Sequence, residues 1–566
     1  MNNENFLLAV GLSIAILVGF HYLYEKPQLE KLQQQQALEK PVEETKAPVA
    51  AAPAGVPARE RAELVAEGPR LRIETPELRG SIDLKGARLD DLDLVKYRET
   101  VEPGSPQIML LSPAGSAPPH QAYYAELGWL GSGAVLPDGN TVWKADAQVL
   151  TTAKPVKLTW NNGQGLTFER TIAIDDHFMF TVTDSVKNGS ANTVTLYPFG
   201  LIARHGKPET RDIYIMHEGP IGVLDGTLKE YKYKDLIKDA KKEMDSTGGW
   251  LGITDKYWLV ALVPAQDEKI TATYTYEHST DPNPENGVFQ GDFRGTAVSL
   301  AAGANTERTT RLFAGAKRVR LLDQYAEQYN IPLFDRAIDF GWYYYLTKPF
   351  LYLLDFLGGT LGNFGLAILV FTLMLKLLTL PLSLKSYRSM ARMKALQPEM
   401  KALQERHKDD KQRQSAEMME LYKREKTNPL SGCLPTIIQI PIFFALYKVL
   451  YVGIELRHAP LFGWIHDLSA PDPTSVLTLF GHIDWAFLPQ IGVWPILMGI
   501  SMFLQQRLSP QPPDKTQAQM FAFLPLLFTF MMAKVAAGLI VYWTLSNILG
   551  IAQQWFIMHK AGRHKA

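Results

Sequence analysis

Polar and apolar positions follow two regimes along this chain. From about residue 64 to 313 they alternate with a period of two in short runs, such as 71–74, 157–160, 178–182, 193–197 and 270–274, set apart by Gly, Pro, Asn and Asp. Runs of this kind predict an antiparallel β-sandwich of many strands, with one helical interruption near 231–243. Residues 319–330 then read as a short helix. The next segment, 340–357, carries Trp342, Tyr343, Tyr344, Tyr345, Phe350, Leu351, Leu354 and Phe356, interrupted by Gly341, Lys348, Pro349 and Asp355. This mixture predicts an amphipathic helix lying in a membrane interface; packing against the sandwich is the alternative. Five long apolar runs follow, at 364–382, 434–452, 486–504, 520–533 and 535–557. They are the spanning candidates. The fourth is short and nearly contiguous with the fifth, so the two should form a tight helical hairpin. Pro435, Pro441, Pro489, Pro495 and Pro525 fall inside or at the edges of these runs, where membrane helices tolerate proline.

One more apolar run, 6–24, stands near the N-terminus. No basic stretch precedes it and no small-x-small cleavage site follows it, so it reads as an uncleaved anchor rather than a signal peptide. Phe20, Tyr22 and Tyr24 look like its interfacial belt. The segment after it is Gln/Glu/Lys-rich and then Ala/Pro-rich, a linker composition. The expected organisation is therefore an anchor (1–25), a linker (26–63), a β-domain (64–318), connecting and interfacial helices (319–360) and a five-helix core (361–566). That is a polytopic α-helical membrane protein with six transmembrane helices and a large antiparallel β-sandwich domain.

Charge adds an orientation. Lys plus Arg equal Asp plus Glu at 58 each, which gives no reason to expect a DNA partner. Locally the balance is uneven. Residues 383–428 hold 12 Lys/Arg against 7 Asp/Glu, whereas 453–485 hold only Arg457 against Glu455, Asp467, Asp472 and Asp484. The positive-inside rule puts the first loop and the C-terminus in the cytoplasm and the second loop outside. Counting spans backwards puts the β-domain outside, in the periplasm, and the N-terminus inside. The 383–428 loop reads as a helical hairpin, 390–407 and 409–426, either a solvated connector or a docking surface. The only cysteine, Cys433, has no partner for an intramolecular disulfide. There is no phosphate-binding loop signature, and the histidines of the β-domain lack metal-ligand spacing. No cofactor is expected, and no enzyme activity.

The candidate chemistry centres on Lys376, the one charge in the 364–382 run. A charge inside a span costs roughly 2.5–3.5 kcal/mol on insertion scales. Pro381 should mark the cytoplasmic end of this helix, placing Lys376 about 7–8 Å inside it at 1.5 Å per residue. Snorkelling to the interface is one reading. The other is a water-filled groove, and polar residues in the spans favour it: Thr372 one turn before Lys376, Gln439 between two prolines, Ser501, Gln505 and Gln506, and then Thr544, Ser546, Asn547, Gln553 and Gln554. Each alone is interhelical glue. Together, with no acid in the last five spans, they suggest a hydrated groove with a positive floor.

Several strings in this region are long and specific: Asp409-Asp410-Lys411-Gln412-Arg413, Glu417-Met418-Met419, Asn428-Pro429-Leu430, Gly432-Cys433-Leu434-Pro435, Gln439-Ile440-Pro441-Ile442-Phe443, Trp464-Ile465-His466-Asp467-Leu468-Ser469 and Ser546-Asn547. Through them the chain resembles the YidC-type membrane protein insertases, in the Gram-negative version with a large periplasmic domain, which the resemblance implies is an antiparallel β-supersandwich. The resemblance implies insertion and folding of nascent inner-membrane proteins without ATP hydrolysis, alone or with the Sec translocon, with the ribosome and the signal recognition particle pathway as further partners and the lipid bilayer as the destination. It implies a groove in the inner leaflet with a basic floor residue, here Lys376 where many relatives have arginine. It also implies substrate contacts at Thr372, Phe443, Met498, Met531, Tyr542 and Trp543, to which the polar reading adds Gln439 and Gln505. Two other readings compete. A secondary transporter would use Lys376 as a substrate or proton site. A membrane-tethered periplasmic sugar-binding or sugar-active protein would carry its function in the β-domain.

Overall fold

A computed structural model describes residues 58–208, 216–408, 410–425, 427, 434–478, 490–509 and 515–563, all within one compact unit, Val49–Ala566. The anchor at 6–24 lies outside the described residues, as does the linker as far as residue 57.

The alternation in the first half does what its period dictates. Along Leu166–Ile174 every second residue is buried, because successive side chains of a strand point to opposite faces. This strand pairs antiparallel with Met179–Asn188 in a register that sets Ile174 opposite Phe180 and Leu166 opposite Asn188. Among the described residues the β-domain consists of an eleven-stranded and a nine-stranded sheet. The larger is centred on Val194–His205, between Tyr123–Ser132 and Val288–Gly295. The smaller is centred on Met179–Asn188 and Asn305–Ala316. Among the described strands the pairing is antiparallel except for a short parallel contact between Arg70–Glu74 and Val149–Leu150. Between the sheets a buried arginine joins what apolar packing alone would not orient. Arg170 of the smaller sheet grips Asp184 through Nε and Nη2 at 2.6 and 3.1 Å, and its Nη2 also reaches the Leu127 carbonyl of the larger sheet at 2.6 Å.

Eleven helices are described. Two are short: α1 (Arg61–Ala66) and α2 (Tyr233–Asp239). Then come α3 (Val319–Gln328), α4 (Tyr344–Leu361), α5 (Phe364–Leu378), α6 (Leu380–Arg406), α7 (Lys411–Arg424), α8 (Leu434–Val452), α9 (Val493–Leu508), α10 (Lys515–Met532) and α11 (Ala537–Arg563). The helical interruption expected at 231–243 is shorter than that, since Lys241–Thr247 is a strand at the edge of the larger sheet. The order of the sandwich also begins upstream of residue 64, where Arg59 bridges to Ser116.

The apolar runs become helices with altered ends, and the alterations have local causes. The 364–382 run is not one helix. It breaks after Leu378, and α6 leaves at 63° to α5. Pro381 sits at the start of α6, where it has no N–H to give to the ladder and its ring crowds the carbonyl four residues back. The Thr379 hydroxyl instead donates to the Leu375 carbonyl at 2.8 Å. The hairpin helix expected from residue 390 therefore starts ten residues earlier, at Leu380, and runs on from the bundle without interruption. Its partner α7 is capped by Asp410, whose carboxylate accepts the Arg413 N–H at 3.0 Å. The pair is held by His407–Glu417 and Arg424–Glu399 contacts at 3.0 and 3.2 Å. In the same way α9 extends past the expected 504 to Leu508, α10 begins at Lys515, and α11 continues to Arg563. The 340–357 segment, expected as an interfacial helix, folds as α4 four residues downstream of its expected start, leaving Trp342 and Tyr345 almost fully exposed.

Among the described residues no single helix is long and apolar enough to cross a membrane; the bent pair α5–α6 passes that test jointly. One continuous set of buried apolar residues runs from the sandwich through α3 and α4 into α5, α8 and α11.

Candidate functional site

A cavity of roughly 330 Å³ lies inside the helical bundle, at the end where α6 departs toward the α6–α7 hairpin. The break between α5 and α6 forms one side of it. Lys376 comes from the last turn of α5, and Ser383 and Tyr387 from the first turns of α6. Gln439 enters from α8, Gln505 and Gln506 from α9, Leu524 and Pro525 from α10, and Trp543, Ser546 and Asn547 from α11. No Asp or Glu is among the lining residues that are described. Lys376 is half-buried, and its ammonium has no ion-pair or hydrogen-bond partner among the described residues. An unpaired cation in a cleft rich in amides and hydroxyls, with apolar walls, is the arrangement that recognises negative charge and hydrates a polar chain.

The walls are cross-braced. The Gln439 amide donates to the Tyr542 hydroxyl, tying α8 to α11. Asn547 Nδ2 donates to Ser501 Oγ at 3.0 Å, tying α11 to α9, and Ser501 Oγ donates in turn to the Met498 carbonyl at 2.7 Å. Trp543 is wedged between Phe443 and Phe528, with ring centroids at 4.7 and 5.6 Å. Truncating Asn547 to Ala should weaken the bundle by about 0.6–1.7 kcal/mol, the range of interhelical hydrogen bonds in membranes. Unfolding measured by steric trapping in bicelles checks this.

Of the residues expected at the site, Lys376, Gln439, Gln505 and Trp543 line the cavity. Tyr542 stands one step behind, holding Gln439, and Phe443 supports Trp543. Three others are elsewhere. Thr372 is fully buried, with its hydroxyl donating to the Ile368 carbonyl at 2.6 Å. One turn deeper than Lys376, it is closed over by the neighbouring helices. Met498 is fully buried under Ser501. Met531 lies two turns beyond Leu524, outside the lining, and is 51% exposed. Ser383 and Tyr387 were missed because the loop-charge count assigns them to the cytoplasmic loop 383–428, ahead of the hairpin expected from 390. The unbroken α6 carries them back into the bundle, and the only sequence signal for that is the placement of Pro381 at a helix start rather than beyond a helix end. Leu524 and Pro525 carry no polar signal at all.

Comparison with known proteins accounts for nearly the whole chain. The model of the YidC periplasmic domain matches residues 70–353, and that of the 60Kd inner membrane protein matches 356–564. A membrane protein insertase YidC of Methylobacterium nodulans is 50% identical over 588 residues, covering 99% of this chain and 96% of that protein. One from Methylorubrum extorquens is 48% identical over 601 residues, covering 99% and 96%. Among solved structures, an active YidC insertase with its first transmembrane domain resolved aligns over 87% of this chain and 95% of its own, at 17% identity and a TM-score of 0.35.

Proposed function

The chain belongs to the YidC family of inner-membrane protein insertases, and from that premise we propose how it inserts its substrates. The cavity around Lys376 is the groove that receives the polar tail of a nascent membrane protein. The observation that carries this reading is the Lys376 ammonium, unpaired among the described residues, in a polar cavity whose described lining holds no acid, inside an apolar bundle. A short tail must cross roughly 30 Å of hydrocarbon, and each unsatisfied backbone group in it costs several kcal/mol. A groove that admits water partway shortens the dry distance. Lys376 attracts acidic residues of the tail, and the amides of Gln439 and Gln505 pair with its backbone. The apolar segment leaves past Trp543 into lipid, drawn by its own burial, so the step needs no ATP.

This reading takes the bundle as five spans that complete a six-span protein with the N-terminal anchor. The basic α6–α7 hairpin faces the cytoplasm and the β-domain faces the periplasm, and loop charge supports that orientation. The hairpin is the docking surface for the ribosome, and the Sec translocon and the signal recognition particle pathway deliver or share substrates. Photo-cross-linking tests the groove. A photoreactive residue at Gln505 or Trp543 should capture ribosome-bound nascent membrane proteins, and absence of adducts at both positions rules the groove out. Deleting most of residues 64–313 separates this reading from a tethered periplasmic sugar-binding protein. Insertion should persist at near wild-type yield, whereas a function seated in the β-domain would vanish.

A further inference from the structure

The β-domain meets the bundle through the segment that follows α8. Helix α3 begins directly after the last strand of the sandwich, and its N-cap residue, Arg318, gives no side-chain acceptor to the first turn. The acceptor arrives from 136 residues away: Glu455 accepts the Val319 N–H through Oε1 at 3.0 Å. Glu455 sits in the 3₁₀ turn Ile454–Leu456, whose two flanking apolar residues are buried. Its second oxygen, Oε2, is buried and lacks a hydrogen-bond partner among the described residues, as does Nε of Arg318. The rest of the Arg318 guanidinium is engaged by Glu77 at 3.1 Å and by Nδ1 of His177 at 3.0 Å. Two neighbouring contacts reinforce the join. Arg457 donates to the carbonyls of Arg98 and Glu99 at 2.6 and 3.1 Å, with its guanidinium over the rings of Tyr257 and Trp258. Lys448, near the end of α8, pairs with Asp339 at 2.8 Å.

We infer that Glu455 is a proton-operated latch: by capping α3 from the bundle it fixes the β-domain in one orientation, and taking up a proton tightens that hold. A neutral carboxyl still accepts the Val319 N–H through its carbonyl oxygen, and it spares the interface the cost of an ionised, half-satisfied carboxylate. The charged and titratable groups facing it are Arg318 at the N-cap of α3, Arg320 of α3, Asp355 of α4 and Tyr97 of strand Arg88–Arg98, with Arg457 two residues along its own segment. Arg320 is already paired with Asp355, and Arg318 with Glu77. Burial is the largest influence on Glu455; the backbone N–H groups of Glu455 itself and of Val319 oppose it by favouring the ionised form, and repulsion from Asp355 and attraction to Arg318 are smaller, so that burial prevails and raises the carboxyl to about 7 from the ordinary 4.5.

The sign follows from which state holds the proton more firmly. Glu455 binds it more tightly when docked than when exposed, so docking is strongest below the ordinary carboxylate range. It weakens as pH rises toward 7 and levels off above that. Between pH 6 and pH 8 the docking constant should fall about tenfold.

The test uses the full chain in lipid nanodiscs, with Cys433→Ser and spin labels at Lys154→Cys on the β-domain and Thr360→Cys on α4. The wild-type background should give one narrow distance at pH 6 that broadens by pH 8. Glu455→Gln, which mimics the neutral carboxyl, should stay narrow at both, and Glu455→Ala should be broad at both. A wild-type distance that does not broaden, broadening that persists in Glu455→Gln, or a narrow distance in Glu455→Ala overturns the latch. The readout is independent of insertion, so it stands or falls apart from the groove.

Discussion

Lys376→Glu should abolish insertion of substrates whose translocated tail is acidic, while Lys376→Arg should preserve it. The magnitude follows from the setting. A unit charge about 4 Å from an opposite charge gains roughly 1 kcal/mol in water and roughly 4 kcal/mol at the effective dielectric near a protein surface. A half-hydrated cavity lies between these, so neutralising Lys376 with Ala should cost about 2 kcal/mol, roughly 30-fold in the entry equilibrium. Reversing the charge replaces attraction with repulsion and doubles the penalty. Substrates with neutral tails should be much less affected, because the amides and hydroxyls of Gln439, Gln505 and Ser546 remain. Protease protection of radiolabelled nascent chains, compared between acidic and neutral tails at matched expression of each variant, measures this directly. Normal insertion of acidic-tailed substrates by the Glu variant would remove Lys376 from the mechanism. A loss equal for both kinds of tail would make it a structural residue only.

How much of this was legible in the sequence depended on what kind of force places each residue. The strands were, because the period-two pattern of Leu166–Ile174 is itself the burial pattern. So was Lys376, since one charge in an apolar run is conspicuous before any fold is known. The loop-charge count marked the α6–α7 hairpin as a polar excursion but put its start at residue 390. The 63° break at Thr379 depends on a proline whose effect differs by a few residues of register, and with it went Ser383 and Tyr387 as cavity residues. Thr372 was expected in the groove from helical spacing alone. Spacing gives the face of a helix but not how far along that face the neighbours close in, and Thr372 lies on the closed side. Glu455 was read only as one of four acids in an outer loop. Its role as a cap on a helix 136 residues earlier is a long-range contact that no local pattern encodes.

Arg170 provides the strongest expected effect on the fold, and it divides fold from function. Its guanidinium is almost fully buried between the sheets, forked onto Asp184 and bonded to the Leu127 carbonyl, with Trp143 under its face at 5.4 Å. Arg170→Ala leaves Asp184 as a buried carboxylate without its partner, a change that costs about 3–5 kcal/mol. Against the usual total of about 5–15 kcal/mol, that is enough to unfold the sandwich at moderate temperature. Removing both charges with an Arg170→Met, Asp184→Leu pair should recover most of the loss, since the penalty comes from the stranded charge and not from the absence of an ion pair. Limited proteolysis of the β-domain against temperature, in the full chain, reads the two outcomes. The cavity proposed as the groove lies on α5, α6, α8, α9, α10 and α11, and none of its lining residues among those described comes from the sandwich. Arg170→Ala should therefore make the β-domain protease-sensitive while membrane insertion continues. If insertion falls in step with proteolysis of the sandwich, the β-domain takes part in the insertion step and the groove does not act alone.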